Sequence, residues 1–306
     1  MTVLSGDTKL MLLIADPVAS AKSPLLVNSL LAQRNQLGEY ALVPLATPKS
    51  ALSNVISALR EVHNFCGAIV SMPHKSAIAP LLDELSAEAR LTGVVNVIRR
   101  EPSGRFAGTC LDGEGMVAGL RAHGHGVRGK SCLLLGAGGA ASAIAIALAR
   151  HGCAALAIEN RTSERAEVLA AAVAKAFPEC AVTAKRQEQA AFDLVINATS
   201  CGMRPGDPSP LSRERLARAG LVAECVVAQE MTPLLQIARD RTTNPSRTTH
   251  AGSSNRANGA VHGSARLADG LGSTAAGMSR PNESWRGFRE RFLGATPPGP
   301  DRSSRT

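Results

Sequence analysis

Apolar residues along the chain alternate between short continuous runs and stretches spaced by three and four. The run at 10–14 is ended by Asp16-Pro17 and predicts a buried strand over 9–15. Helical spacing follows over 24–33, opened by Ser23. The same reading predicts a helix over 48–63, a strand over 66–71, a helix over 75–90 and a strand over 94–100. Strand and helix in alternation imply a mainly parallel sheet covered by helices.

A stronger unit of the same kind begins at Ser131, after a connecting helix over 115–125. Its strand at 132–135 leads through a turn at 136–139 into an alanine-rich helix at 140–150 and a strand at 154–158. A helix at 163–176 and a strand at 192–197 continue the series. The expected class is α/β, with one α/β domain over 1–114 and a second over 115–240. Beyond 240 the pattern stops. Gly, Pro, Ser, Thr and Asn supply 34 of the 66 residues from 241 to 306, and Leu, Ile, Val and Phe only 6. Such a low-complexity tail buries too little to offset its ordering entropy and is expected to be disordered.

Charge and composition narrow the function. The net charge is +9, but 241–306 holds 10 Lys+Arg against 4 Asp+Glu, so much of the excess lies in the tail. Aromatic residues make up 3%, with Trp285 and Tyr40 alone of their kinds, which leaves no stacking surface for single-stranded nucleic acid. Nucleic acid is not an expected partner. Seven cysteines form no C-x-x-C pair, and their odd number argues for a reducing compartment. No run approaches the roughly 18 apolar residues that cross a bilayer, and the opening segment lacks the charged stretch of a secretory signal. A cytoplasmic protein without a membrane partner is expected. His123 and His125 lack partners at ligand spacing, so no metal is expected.

Gly136-Ala137-Gly138-Gly139-Ala140-Ala141 follows a strand and opens a helix, the setting in which G-x-G-x-x-(G/A) has meaning. Gly136 permits the tight turn, Gly138 lets backbone approach a pyrophosphate, and Ala141 allows helix to pack on strand. The helix start supplies unpaired N–H groups for the phosphates. An empty glycine-rich turn is the plainer alternative. At the end of the next strand stand Glu159-Asn160-Arg161-Thr162, with Arg165 one turn on. An arginine there suits a 2′-phosphate, whereas a carboxylate suits a 2′-hydroxyl. NADP is therefore expected, with NAD as the alternative and Glu159 as the conflicting sign. In the first half, Ser71-Met72-Pro73-His74-Lys75 lies just after an apolar strand, Asn96 and Asp112 come near the ends of later segments, and the three are expected to converge at one sheet edge. A Lys–Asp pair can carry the proton of a substrate hydroxyl, although a surface lysine and a helix-capping aspartate fit the spacing too.

Over 10–240 the chain resembles the shikimate dehydrogenase family. The resemblance rests on Asp16-Pro17 to Ser23-Pro24 with Asn28, the SMPHK segment, Val95-Asn96-Val97, Gly108 through Asp112-Gly113-Glu114-Gly115, Gly136 to Gly139, Asn160-Arg161-Thr162, the segment from Asn197 to Met203, and Thr232-Pro233-Leu234-Leu235. It implies an N-terminal substrate-binding domain, a C-terminal Rossmann-like NADP domain and reversible hydride transfer between 3-dehydroshikimate and shikimate. Lys75 and Asp112 are then the proton-transfer pair. Ser20, Ser23, Ser71 and Asn96 face a polyol-acid substrate. Gly136, Gly138, Gly139, Ala140, Asn160, Arg161, Thr162 and Arg165 hold the dinucleotide, and Thr199 and Met203 line its nicotinamide side.

Departures from the family pattern point to a divergent member. Ala21 stands where the family has the first of two substrate serines, Cys110-Leu111 where it has Asn-Thr, and Glu224 and Ala228 where it has Asp and Tyr. Quinate or a related polyol is the alternative substrate. The family's closing G-x-x-M-L-x-x-Q helix has no counterpart after Arg241. Allowed codons for 241–267, read one base later, can spell a segment containing M-L-A-A-Q, so a shift of reading frame near 241 is expected. A truncated, catalytically impaired relative that only binds the dinucleotide is the corresponding alternative. The chain is expected to be a monomer or homodimer.

Overall fold

The computed structural model describes residues 4–19, 21–226 and 231–243, with side chains described up to 240. Ser20 and the tail beyond 243, with most of the expected shift of frame, lie outside the described residues. Over the described residues the chain forms two compact units, one of 4–89 with 94–109 and the other of 90–93 with 110–243.

Strand β1 (Lys9–Ala15), helix α1 (Ser23–Gln33), strand β2 (Tyr40–Ala46), helix α2 (Leu52–Arg60) and strand β3 (Phe65–Val70) open the first unit. Strand β4 (Glu84–Leu85), helix α3 (Ala87–Thr92), and strands β5 (Val97–Arg100) and β6 (Phe106–Thr109) follow. The sheet order is β2-β1-β3-β5-β6-β4. β1 lies parallel to β2 and β3, but β5 is antiparallel to both β3 and β6, so the expected mainly parallel sheet is mixed. A tight return at 101–105 makes the β5–β6 pair antiparallel: the Glu101 N–H donates to the Arg105 carbonyl at 2.8 Å, and Gly104 takes a φ of +83° that favours glycine. Pro44 pairs within β2 because β2 is an edge strand, where a missing N–H leaves no central ladder broken.

The expected helix over 75–90 does not form. Pro80 has no N–H to give and its ring obstructs the preceding turn, so the chain makes one 3-10 turn at Ala79–Leu81, then β4, then α3. Asp83 fastens this irregular stretch by accepting the Phe106 N–H and the Arg60 guanidinium, both at 2.7 Å. The core beneath is built on Phe65 and Phe106, edge to face with centroids 5.5 Å apart, and on Leu12, Ile14, Ile56 and Ile98.

Helix α4 (Asp112–Ala122), strand β7 (Ser131–Leu135), helix α5 (Gly139–Arg150), strand β8 (Ala155–Glu159) and helix α6 (Ser163–Ala176) begin the second unit. Strands β9 (Ala181–Thr183) and β10 (Phe192–Asn197), helix α7 (Arg213–Leu216), strand β11 (Ala219–Glu224) and helix α8 (Pro233–Thr243) complete it. Helix α8 thus runs three residues beyond 240, into the segment expected to be low-complexity tail. The sheet is wholly parallel in the order β11-β10-β7-β8-β9. Cys132, Leu134, Leu156, Ile158 and Ile196 face a core shared with α4, α5 and α6. Their neighbours Leu133, Leu135, Ala157, Val195 and Val222 face α7 and α8. Both faces are buried, which is why these strands read as continuous apolar runs.

Helices α4 and α5 approach each other closely through small residues. A Cβ added to Gly113 would stand 2.1 Å from the Ala143 carbonyl oxygen and 2.8 Å from the Ala147 Cβ. Backbone cannot yield as a flexible side-chain tip can, so overpacking here is costly. Gly113→Ala is expected to lower unfolding free energy by about 1–3 kcal/mol in urea titration; an unchanged midpoint would show that the two helices part without cost.

Candidate active site

The carboxyl ends of β1 and β3 carry the first group of candidate residues. The Ser71 N–H donates to the Ile14 carbonyl at 2.9 Å and the Asp16 N–H to the Met72 carbonyl at 3.1 Å, which ties the segment after β1 to the segment after β3. The Lys75 carbonyl accepts the Val95 N–H at 2.8 Å, and the Asn96 carbonyl accepts the Val70 N–H at 2.8 Å. One backbone mesh therefore brings Ser71, Lys75 and Asn96 together, all three half-buried. Ser23 is the first residue of α1, also half-buried. Asn28 uses its amide on β2, donating to the Leu42 carbonyl and accepting the Leu42 N–H at 2.9 Å each.

His74, which the sequence shows only as a member of the Ser71–Lys75 segment, proves to be fully buried. Its Nε2 lies 2.7 Å from the Thr47 carbonyl, while its Nδ1 has no hydrogen-bond partner among the described residues. Donation from Nε2 leaves Nδ1 as a bare acceptor, and it pins the turn that carries Lys75 against the segment after β2. The signal for this role was its place between Pro73 and Lys75, where a solvent-facing histidine was equally compatible with the pattern.

The second unit carries the remaining candidates. Gly136 has a φ of +117°, its N–H donates to the Glu159 carbonyl at 2.7 Å, and a Cβ there would meet the Ala198 carbonyl oxygen at 2.9 Å. Gly138 is exposed, with open space where its side chain would be, and Gly139 and Ala140 start α5. Ala141 is fully buried against the core. The cradle thus combines a turn that demands glycine, an accessible backbone and the N–H groups of a helix start, and it fits a dinucleotide pyrophosphate.

At the end of β8, the Asn160 amide donates to the Thr162 carbonyl at 2.9 Å and shapes the turn, while Arg161, Thr162 and Arg165 are exposed. The carboxylate of Glu159 turns toward α7, where Arg215 grips it with two hydrogen bonds of 2.8 and 2.6 Å. The conflicting sign in the sequence is thus neutralised by a residue 56 positions away.

Asn197, at the end of β10, organises the loop that follows. Its Oδ1 accepts the Thr199 N–H at 3.0 Å and the Thr199 hydroxyl at 2.6 Å, and its Nδ2 donates to the Cys201 carbonyl at 3.1 Å. Thr199 is half-buried and Met203 exposed. Behind this loop lies Glu224, wholly buried, accepting the Thr232 hydroxyl at 2.7 Å, with no hydrogen-bond partner for its other carboxylate oxygen among the described residues. Burial pushes its carboxyl up to about 6, against smaller downward pulls from Thr232 and Asn197. Asp112 is buried at the first turn of α4, where a helix favours negative charge. Lys75 and Asp112 belong to different compact units.

Residues 13–98 match the family described as "Shikimate dehydrogenase substrate binding domain", and 120–204 match "Shikimate / quinate 5-dehydrogenase". Shikimate dehydrogenase (NADP(+)) of Rubrobacter xylanophilus is 36% identical over 246 residues, covering 78% of this chain and 84% of the relative. The enzyme of the same description from Acidiphilium cryptum is 38% identical over 241 residues, with the same coverages of 78% and 84%. Among solved structures, shikimate 5-dehydrogenase of Listeria monocytogenes in complex with shikimate and NAD superposes with a TM-score of 0.70 at 30% identity, over 78% of this chain and 85% of that one.

The Glu224 carboxyl has a direct consequence for stability. Its value of about 6 in the folded chain exceeds the ordinary 4.5, so the folded state holds the proton more tightly than the unfolded chain does. Stability from this group is fully present below about pH 4.5 and is lost as pH rises through about 6. Glu224→Gln is expected to raise unfolding free energy by about 1–2 kcal/mol at pH 8 and by much less at pH 4.5. Urea titrations at both values test this, and an equal change at each would contradict it.

Proposed function

The chain belongs to the shikimate dehydrogenase family, and from that premise we propose that it transfers hydride reversibly between 3-dehydroshikimate and shikimate with NADP as cofactor, using Lys75 and Asp112 to move the hydroxyl proton. The single observation that carries the cofactor half of this reading is the Gly136–Ala141 cradle beside exposed Arg161 and Arg165, with Glu159 neutralised. Gly136, Gly138, Gly139 and Ala140 receive the pyrophosphate. Asn160, Arg161, Thr162 and Arg165 receive the 2′-phosphate, and Thr199 and Met203 border the nicotinamide. A bound nicotinamide supplies the hydride acceptor.

The remaining chemistry is the chain's own. Removing hydride from a carbinol leaves a hydroxyl proton that must depart with it, and a base within hydrogen-bond reach makes that departure easier. Lys75 serves as that base, with Asp112 as its charged companion. Ser23, Ser71 and Asn96, with Ser20 one place before the family's serine position, offer hydroxyl and amide groups to the substrate's ring hydroxyls and carboxylate. In this reading the substrate domain ends before α4, which belongs to the unit that holds the dinucleotide cradle. Among the described residues no helix is long and apolar enough to cross a membrane. None of the seven cysteines, all among the described residues, forms a disulfide, which supports placing the protein in the cytoplasm.

Cofactor reduction with shikimate and with quinate tests the activity. Lys75→Ala is expected to cut kcat by about 10²–10⁴-fold and to leave the NADP dissociation constant within about twofold. Turnover of that variant at the rate of the unaltered chain would remove Lys75 from the chemistry. A clear preference for quinate would replace the substrate while leaving the proton-transfer pair in place.

A further inference from the structure

The Glu159–Arg215 pair stands where cofactor preference is decided, yet neither residue is among those assigned to the cofactor. Glu159 is the last residue of β8, directly before Asn160 and Arg161, and its carbonyl holds the first glycine of the cradle at 2.7 Å. Its carboxylate and the Arg215 guanidinium are only 12% and 8% exposed, so water does little to screen either charge. Arg215 also donates to the Gln187 carbonyl at 3.3 Å, and its Nε lies 3.6 Å from the Glu188 carboxylate. The Gln187 N–H reaches the Glu159 carboxylate at 3.4 Å. The guanidinium is therefore fastened on several sides and faces Glu159 in the two-pronged geometry that matches a carboxylate.

We propose that Arg215 is a specificity-determining residue for the dinucleotide. By holding and neutralising Glu159 it lets a strand that ends in a carboxylate accept a 2′-phosphate. This rests on the dinucleotide reading given above. Without Arg215, an uncompensated negative charge would sit one residue from Asn160 and two from Arg161. That charge opposes a phosphate dianion far more than a neutral 2′-hydroxyl, so NADP loses affinity while NAD does not. Glu188 is half exposed and screened by solvent, so it contributes less than Glu159 does. Arg161 and Arg165 provide attraction; Arg215 acts at one remove, by taking away a repulsion.

The test is the ratio of NADP to NAD dissociation constants, measured by fluorescence titration of the full chain without substrate. Because both cofactors are titrated into the same preparation, partial misfolding of a variant cancels in the ratio. Arg215→Met is expected to reduce the preference for NADP by about tenfold or more. Glu159→Gln alone should preserve that preference, and the double variant Glu159→Gln with Arg215→Met should restore it to within about threefold of the unaltered chain. A ratio unmoved by Arg215→Met overturns the proposal. So does failure of the double variant to restore it, since the lost charge of Arg215 itself would then be the cause. Absence of binding of either cofactor to the unaltered chain would instead overturn the dinucleotide reading and this inference with it, whereas loss of turnover with binding intact touches only the catalytic assignment.

Discussion

The second unit is organised around a turn with no room for a side chain. At Gly136 the chain leaves β7 with a φ of +117° and lies against the Ala198 carbonyl, 2.9 Å from where a Cβ would be. That close approach places the start of α5 beside the loop after β10, so the backbone that cradles phosphates and the loop carrying Thr199 and Met203 are set by one contact. The neighbouring hydrogen bonds keep it so: the Gly136 N–H on the Glu159 carbonyl and the Ala198 N–H on the Leu135 carbonyl, at 2.7 and 2.9 Å. A bulkier residue at 136 would strain the turn and push apart two parts of the site at once.

Around that turn, two carboxylates, Glu224 buried and Glu159 nearly so, have opposite surroundings. Glu159 meets a guanidinium in bidentate geometry, whereas Glu224 has, among the described residues, one hydroxyl donor on one oxygen and none on the other. Desolvation acts on both, but among the described residues Glu159 alone of the two has an opposite charge to offset it. The difference follows their places in the sheet. Glu159 ends β8 and faces α7, which carries Arg215. Glu224 ends β11, an edge strand of the same sheet, and meets the threonine that precedes α8. The Thr232 hydroxyl also accepts the Leu235 N–H at 3.3 Å, so the start of α8 is fastened through the same side chain.

Much of this second unit was legible in the sequence because its strands are buried on both faces and its helices are long. The helix expected over 163–176 and the strand over 192–197 fall at the observed bounds of α6 and β10. Where periodicity is short or proline intervenes, legibility fails: the stretch 75–90 reads as helical only if Pro80 is ignored, and β2 is obscured by Pro44, which an edge strand tolerates. In the site, the glycine cradle and the Ser71–Lys75–Asn96 segments were visible as motifs. Arg215 was not, since pairing across 56 residues leaves no local pattern. His74 was visible in sequence but not in role, because burial is a property of what packs over the turn.

Packing and chemistry share one turn of α4. Gly113 is the point where α4 lies against the backbone of α5, and Asp112 precedes it in the same first turn. The α5 side of this contact, Ala143 and Ala147, belongs to the helix whose first residues form the cradle. The position of the Asp112 carboxylate relative to the dinucleotide cradle is therefore set through rigid backbone, by two helices in contact, with no flexible side chain intervening. Small residues at the contact make that possible: Ala143 and Ala147, one turn apart on α5, and Gly113 on α4 let the two backbones close. A larger residue at 113 would have to lift α4, and Asp112 would move with it. The glycine after the candidate acid is thus as much a condition of its placement as the residues that touch its carboxylate.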